Sequence, residues 1–164
     1  DIKVLDENGA ECAVNQEGEI CVKGEHVTHG YLDLPIEDSF FGDYFRTGDW
    51  GYKTEEGYIY LISRKKELIN VGGKKVSPIE VEEQLFKIKG IEDCACIGVP
   101  DEDGVLGEVV KAFIVKAKDS DITFDDIKEQ LNGELEPYKL PVYYEWTDEI
   151  PKTQNGKIQR GLLK

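Results

Sequence analysis

The chain has 164 residues, with 34 Asp and Glu against 20 Lys and Arg and a formal charge of −14. That carboxylate excess repels nucleic acid and anionic lipid and excludes both as general partners. Apolar residues at 40% can build the core of one domain, or of a small domain plus part of another, and no apolar run is long enough to span a bilayer.

Strands are expected at Ile2–Leu5, Glu19–Lys23, Trp50–Lys53 and Tyr58–Ile62, with turns at Asn8-Gly9, Glu17-Gly18 and Glu56-Gly57. No helical period shows in these first sixty residues, which read as the β-rich edge of a larger unit. The pattern changes after Ser63-Arg64. Leu68–Val71 and Lys75–Val76 flank Gly72-Gly73 and predict a small hairpin. Ser77-Pro78-Ile79-Glu80 has the form of a capping box with Pro at the first helical position. The helix it opens carries Val81, Leu85 and Ile88 on one face and is ended by Gly90. Cys94–Val99 and Val109–Lys116 read as buried strands. Thr123 and Asp126 cap a second helix with Phe124, Ile127, Leu131 and Leu135 on its stripe, and Pro137 forbids much more helix. Val142–Trp146 is a third strand, and a last helix is expected from Arg160. Residues 67–164 therefore form an α+β unit of about 100 residues, an ordinary domain size, with a boundary near Arg64.

The absence of Met implies a chain processed or cut from something longer, and no charged-then-apolar leader opens it. Four cysteines (Cys12, Cys21, Cys94 and Cys96) have neither the density of a disulfide scaffold nor the spacing of a zinc site. Alternation puts Cys94 and Cys96 on one strand face as buried thiols, which fits a reducing, cytoplasmic setting. His26 and His29 lack a further His and read as surface or loop residues.

Basic residues fall in two groups: Arg64, Lys65, Lys66, Lys74 and Lys75, then Lys152, Lys157, Arg160 and Lys164. From Ile150 to the end there is no carboxylate. Each group holds a Gly turn, where backbone can approach a phosphate; either group taken alone is more readily a solvated charge run. A third stretch is Arg46-Thr47-Gly48-Asp49. A Gly before an Asp at a loop-to-strand junction leaves the carboxylate free to accept from a vicinal diol, as in ribose recognition. An Asp in a turn is more often a local cap.

Taken in order, these stretches resemble the carboxyl-terminal part of the AMP-forming acyl-CoA synthetases, in the adenylate-forming superfamily that includes peptide-synthetase adenylation domains and luciferases. Gly18-Glu19-Ile20 through Gly30-Tyr31-Leu32 is similar to the family's GE(I/L)…GY stretch, and Tyr44-Phe45-Arg46-Thr47-Gly48-Asp49 to its (Y/F)RTGD motif. Arg64-Lys65-Lys66-Glu67-Leu68-Ile69, Gly72-Gly73 and Ser77-Pro78-Ile79-Glu80-Val81-Glu82 resemble its hinge and following loop. Pro151-Lys152-Thr153, Gly156-Lys157-Ile158 and Arg160 resemble its terminal PKTxxGKIxR. Four matches in register are highly specific.

The resemblance implies a division into residues 1–63, the end of a large amino-terminal domain; 64–66, a hinge; and 67–164, a mobile domain with a three-stranded sheet, helices and a hairpin. It implies activation of a fatty or similar acid with ATP as acyl-AMP, then transfer to CoA, with Mg2+ bound mainly by the large domain. Lys157 would be the catalytic Lys of adenylation, Asp49 would hold the ribose hydroxyls, and Arg64 would reach the same sugar. Lys66 would be the hinge, and Gly72 and Gly73 would approach the pantetheine arm of CoA. The plainer alternatives are a surface Lys, a turn cap, a salt-bridged junction residue, a strand-edge charge and an ordinary hairpin turn.

Ser63 departs from the Gly or Asp that often precedes the hinge Arg, and Asn70 stands where some relatives carry a Lys assisting the second step. No phosphate loop and no acid-pocket motif is present, so the chain is expected to be inactive without the rest of its enzyme. Two rivals remain. A peptide-synthetase-type adenylation domain would usually continue into a carrier domain, whereas this chain stops soon after Arg160. A non-catalytic nucleotide-binding or interaction module would have no need of Lys157 and Asp49.

Overall fold

Gly-bearing turns and β-forming runs shape the first of two units, Asp1–Lys66 and Glu67–Lys164, in a computed structural model that describes residues 1–28 and 35–163. Gly30-Tyr31-Leu32, His29 and Lys164 lie outside the described residues. The first unit holds β1 (Ile2–Leu5), β2 (Gly18–Val22), a single-turn α1 (Ile36–Ser39), β3 (Phe40–Phe41), β4 (Tyr44–Lys53) and β5 (Ile59–Arg64). They form one five-stranded sheet ordered β1-β2-β4-β3, with β5 also paired to β4 and every pairing antiparallel. The single turn α1 is too short to display a helical period, and the unit is otherwise β-rich.

The fourth strand is longer than its pattern suggested, because Arg46-Thr47-Gly48-Asp49 lies inside it and not at a loop junction. Opposite β2, Ile20 pairs with Asp49 and Cys21 with Arg46, so Thr47 and Gly48 bulge out. Gly48 takes φ +73°, and Thr47 Oγ1 closes the bulge by donating to the Ile20 carbonyl (2.7 Å) and accepting from the Asp49 N–H (3.0 Å). Further along, Gly51 is demanded by close approach: a Cβ there would lie 2.0 Å from the Tyr60 carbonyl oxygen.

A 3-10 turn (Lys65–Glu67) leads into the second unit. It comprises β6 (Ile69–Val71), β7 (Lys74–Val76), α2 (Pro78–Phe86), β8 (Ile91–Pro100), β9 (Glu108–Lys116), α3 (Phe124–Leu131) and β10 (Tyr143–Trp146). The sheet order is β10-β9-β8, with β8 antiparallel and β10 parallel to β9. Strand alternation splits the core between the two faces. Cys94, Cys96, Ala112 and Ile114 pack with Val81, Leu85, Ile127 and Leu131 of the helices, while Ala95 and Phe113 face Ile150, Ile158 and Leu163. Burial pushes the Cys94 and Cys96 thiols well above their usual range, so both are plain core side chains.

Two caps that look alike in sequence differ in space. Thr123 and Asp126 make the reciprocal box: each side chain accepts from the other residue's backbone N–H. Ser77 occupies the N-cap of α2, but its side chain makes no cap bond, and among the described residues its buried Oγ has no partner. Glu80 pairs with Lys139 at 2.7 Å instead of reaching back. Moreover, α2 stops at Phe86, so Ile88 is buried beyond its end. Thr123→Ala is therefore expected to cost about 1 kcal/mol, while Ser77→Ala costs nothing or stabilises slightly, since it removes an unpaired hydroxyl. Denaturant midpoints of the two variants decide it; equal losses would restore the box at Ser77. The helix expected from Arg160 is one 3-10 turn, Arg160–Leu162.

Candidate functional site

In the first unit, the pairing of β4 with β5 sets Asp49 directly opposite Arg64. Arg64 Nη1 lies 2.9 Å from Asp49 Oδ1 and also donates to the Thr47 carbonyl at 3.2 Å. The two residues assigned to one sugar are thus brought together, and Asp49 is not the unengaged carboxylate expected. Their side chains are 56% and 29% exposed, so the ion pair is worth only about 0–1 kcal/mol. A diol can compete for such a carboxylate.

Beside it lies a cluster that sequence reasoning missed. Glu19, buried on β2, accepts at Oε2 from Arg46 Nε (3.1 Å), Arg46 Nη2 (2.9 Å) and Lys65 Nζ (2.8 Å). Burial alone would push the Glu19 carboxyl up, but the bonds from Arg46 and Lys65 outweigh it and hold it below the usual carboxylate range. Arg46 and Lys65 are consequently spoken for as internal partners of Glu19. The only sequence hint was a Glu in an otherwise apolar strand, Glu19-Ile20-Cys21-Val22.

In the second unit, the basic terminal segment does not present its charges together. A bridge between Lys152 and Ile158 closes a hairpin around Asn155-Gly156, where Gly156 takes φ +78°. Lys157 is fixed through its backbone: its carbonyl accepts from the Thr153 N–H (2.8 Å), and its N–H donates to Thr153 Oγ1 (3.1 Å). Lys152 Nζ pairs with Asp93. Arg160 turns inward and forks onto Glu82, with further bonds to the Cys96 carbonyl and to Glu67. Of the basic group that ends the sequence, Lys152 and Arg160 are thus internally neutralised. Lys157 is exposed, and among the described residues its ammonium meets no carboxylate and no ring.

Lys66 is exposed in the 3-10 turn Lys65–Glu67, as the last residue of the first unit. Gly72 and Gly73 form the two-residue turn between β6 and β7, with φ +57° and +84°, the sign a primed hairpin turn requires at both positions. They are not equivalent. The Gly72 N–H is taken by the Leu106 carbonyl at 2.7 Å, and a Cβ there would lie 3.1 Å from Leu106 Cδ2. A Cβ on Gly73 meets nothing within 4 Å, which leaves Gly73 as the open side of the turn. Asn70 donates its N–H to Glu108 (2.8 Å). Among the described residues no group of three or more His, Cys, Asp or Glu side chains could hold a metal ion.

Residues 80–157 match the family model of the AMP-binding enzyme C-terminal domain. The oxalate–CoA ligase of Saccharomyces cerevisiae is 38% identical over 166 residues, covering 99% of this chain and 30% of that protein. The long-chain-fatty-acid–CoA ligase of Bacillus subtilis is 40% identical over 160 residues, covering 96% and 28%. Among solved structures, o-succinylbenzoate CoA synthetase from Bacillus subtilis, in complex with its acyl-adenylate intermediate, superposes with a TM-score of 0.87 at 30% identity. That match covers 100% of this chain and 33% of the other. The chain spans about a third of the length of the relatives it matches.

Proposed function

We propose, from the match of residues 80–157 to the family model of the AMP-binding enzyme C-terminal domain, that this chain is the carboxyl-terminal portion of an AMP-forming acid–CoA ligase. The observation that carries the reading is Lys157: an exposed ammonium, without a partner among the described residues, on a backbone-fixed hairpin within a segment whose other described cations are paired.

The chemistry calls for such a group. A carboxylate oxygen attacks the α-phosphorus of ATP, pyrophosphate leaves, and two anions must be held together meanwhile. A compact point charge can offset their repulsion and the charge growing on pentacoordinate phosphorus. Asp49 then accepts from the ribose hydroxyls, with Arg64 released from it to donate to the same sugar. In the second step a CoA thiol forms the C–S bond, the acyl C–O bond breaks, and AMP departs. Gly73 borders the pantetheine path, since the Gly72 N–H is already used. Lys66 is the hinge between the two steps. Mg2+ would be bound mainly by the large amino-terminal domain.

We take the acid to be fatty or similar. Relatives named for oxalate and for long-chain fatty acids match almost equally well, as expected if the acid pocket lies in the large domain. No described helix is long and apolar enough to cross a membrane, and four free thiols suit a reducing cytoplasm. The test is to supply the full-length protein with ATP, CoA and a panel of fatty and dicarboxylic acids. Equal yields of pyrophosphate, AMP and acyl-CoA are expected, with none from this chain alone. Transfer to a carrier protein but not to CoA would favour an adenylation domain, and nucleotide binding without pyrophosphate release would leave a non-catalytic module.

A further inference from the structure

Among the described residues the exposed Lys157 ammonium has no hydrogen-bond or ion-pair partner, so the backbone around it must set its place. We propose that Glu82 and Arg160 form the positioning device for Lys157, an inference that rests on the adenylation role proposed for Lys157.

The strand β8 is an edge strand, since the sheet runs β10-β9-β8. An edge leaves outward N–H and C=O groups without a strand partner. At Cys96 both are taken by side chains. The N–H donates to Glu82 Oε1 (2.6 Å), and the carbonyl accepts from Arg160 Nη1 (3.0 Å). Glu82 and Arg160 then close the ring, Nη1 on Oε1 and Nη2 on Oε2 at 3.0 Å, while Arg160 Nε reaches Glu67 at 3.3 Å. Only a planar fork can meet a carboxylate and a backbone carbonyl and a second carboxylate in this way. The Arg160 and Glu82 side chains are 14% and 7% exposed, so each charge depends on the other for solvation.

This clamp lies three residues after Lys157. Ile158 packs with Ala95, Phe113 and Ile150 on one face of the sheet, and its bridge to Lys152 holds the hairpin. With Ile158 held on a face and Arg160 on the strand edge, the path of residues 157–160 is determined at both ends. Lys157 is left projecting from a fixed backbone. Misplacing a reacting group by about 1 Å can cost on the order of 10²-fold in rate, so an adenylating Lys needs such support.

The experiment compares Arg160→Gln, Arg160→Lys and Lys157→Ala in the full-length enzyme, each half-reaction assayed separately. Arg160→Gln is expected to lower kcat for acyl-AMP formation by about tenfold to a hundredfold, with KM for ATP and acid little changed. Reaction of preformed acyl-AMP with CoA should keep its rate. Arg160→Lys, which keeps a charge for Glu82 but not the fork, should fall between, and it carries the comparison if the Gln variant fails to fold. A merely structural clamp would lower both half-reactions together, and that result overturns the proposal, as would no loss in either Arg160 variant. If Lys157→Ala is crippled while the Arg160 variants are not, positioning alone fails. If Lys157→Ala still forms acyl-AMP normally, the adenylation reading fails with it.

Discussion

If the proposed function holds, replacing Lys157 by alanine in the full-length protein is expected to slow acyl-AMP formation by about 10²–10³, the usual loss for one preorganised electrostatic stabiliser. Reaction of preformed acyl-AMP with CoA should persist. The variant is a clean probe because the side chain is exposed and its ammonium has no partner among the described residues, so truncation breaks no internal ion pair. The hairpin itself is held by backbone bonds between residues 153 and 157 and by the Lys152–Ile158 bridge. A stability loss is therefore not expected, and circular dichroism melting should leave the variant level with the parent. Lys157→Arg should recover little, since a planar fork cannot replace a point charge that touches several oxygens at once. Pyrophosphate release from acid plus ATP, and thioester formation from acyl-AMP plus CoA, are the two measurements. Equal loss in both would falsify the assignment.

Lys66→Pro should show the opposite profile. Proline fixes φ near −65° and deletes an N–H, so a hinge at this position would be held in one conformation. If the adenylating conformation is the one retained, a single turnover of pyrophosphate survives while thioester formation stalls. Lys66→Ala separates backbone from side chain. Lys66 is exposed, and its removal keeps the backbone freedom of the Lys65–Glu67 turn, so the Ala variant should be far milder. The neighbouring Lys65 offers a contrast: its ammonium is bound to Glu19 at 2.8 Å, whereas the Lys66 ammonium has no ion-pair partner among the described residues. Feeding each variant acid plus ATP, then acyl-AMP plus CoA, checks the comparison. Should the Pro and Ala variants lose the second step alike, Lys66 is a contact and not a hinge.

The candidate site was legible where a motif lies within one short stretch of chain. Asp49, Arg64, Lys157 and the Gly72-Gly73 turn could each be pointed to because their types and spacings are local and match a family pattern. What each side chain touches was not legible. The basic end of the chain read as one group of charges without a carboxylate, yet Arg160 belongs to Glu82, 78 residues earlier, and Lys152 to Asp93, 59 residues earlier. Charge in a sequence is a count; pairing is a matter of distance, and distance follows the sheet. The same applies to Glu19, which binds Lys65 across 46 residues and Arg46 across 27.

Local chemistry by itself determined the turns and periods of this protein. Two glycines predicted the β6–β7 hairpin because only they take positive φ cheaply at both turn positions. Alternation predicted Cys94 and Cys96 as buried on one face, and Thr123 with Asp126 predicted a cap whose partners are three residues apart. Only the tertiary structure decided between equivalent local options. Ser77 and Glu80 had the same form as Thr123 and Asp126, but Lys139 draws Glu80 away. The parallel placement of β10 beside β9 and the clamp on the outer edge of β8 came from the chain's path through space. The reason is one of range: dihedral preferences and capping bonds act over a few residues, whereas ion pairs and strand edges are satisfied by whichever group the fold brings within about 3 Å.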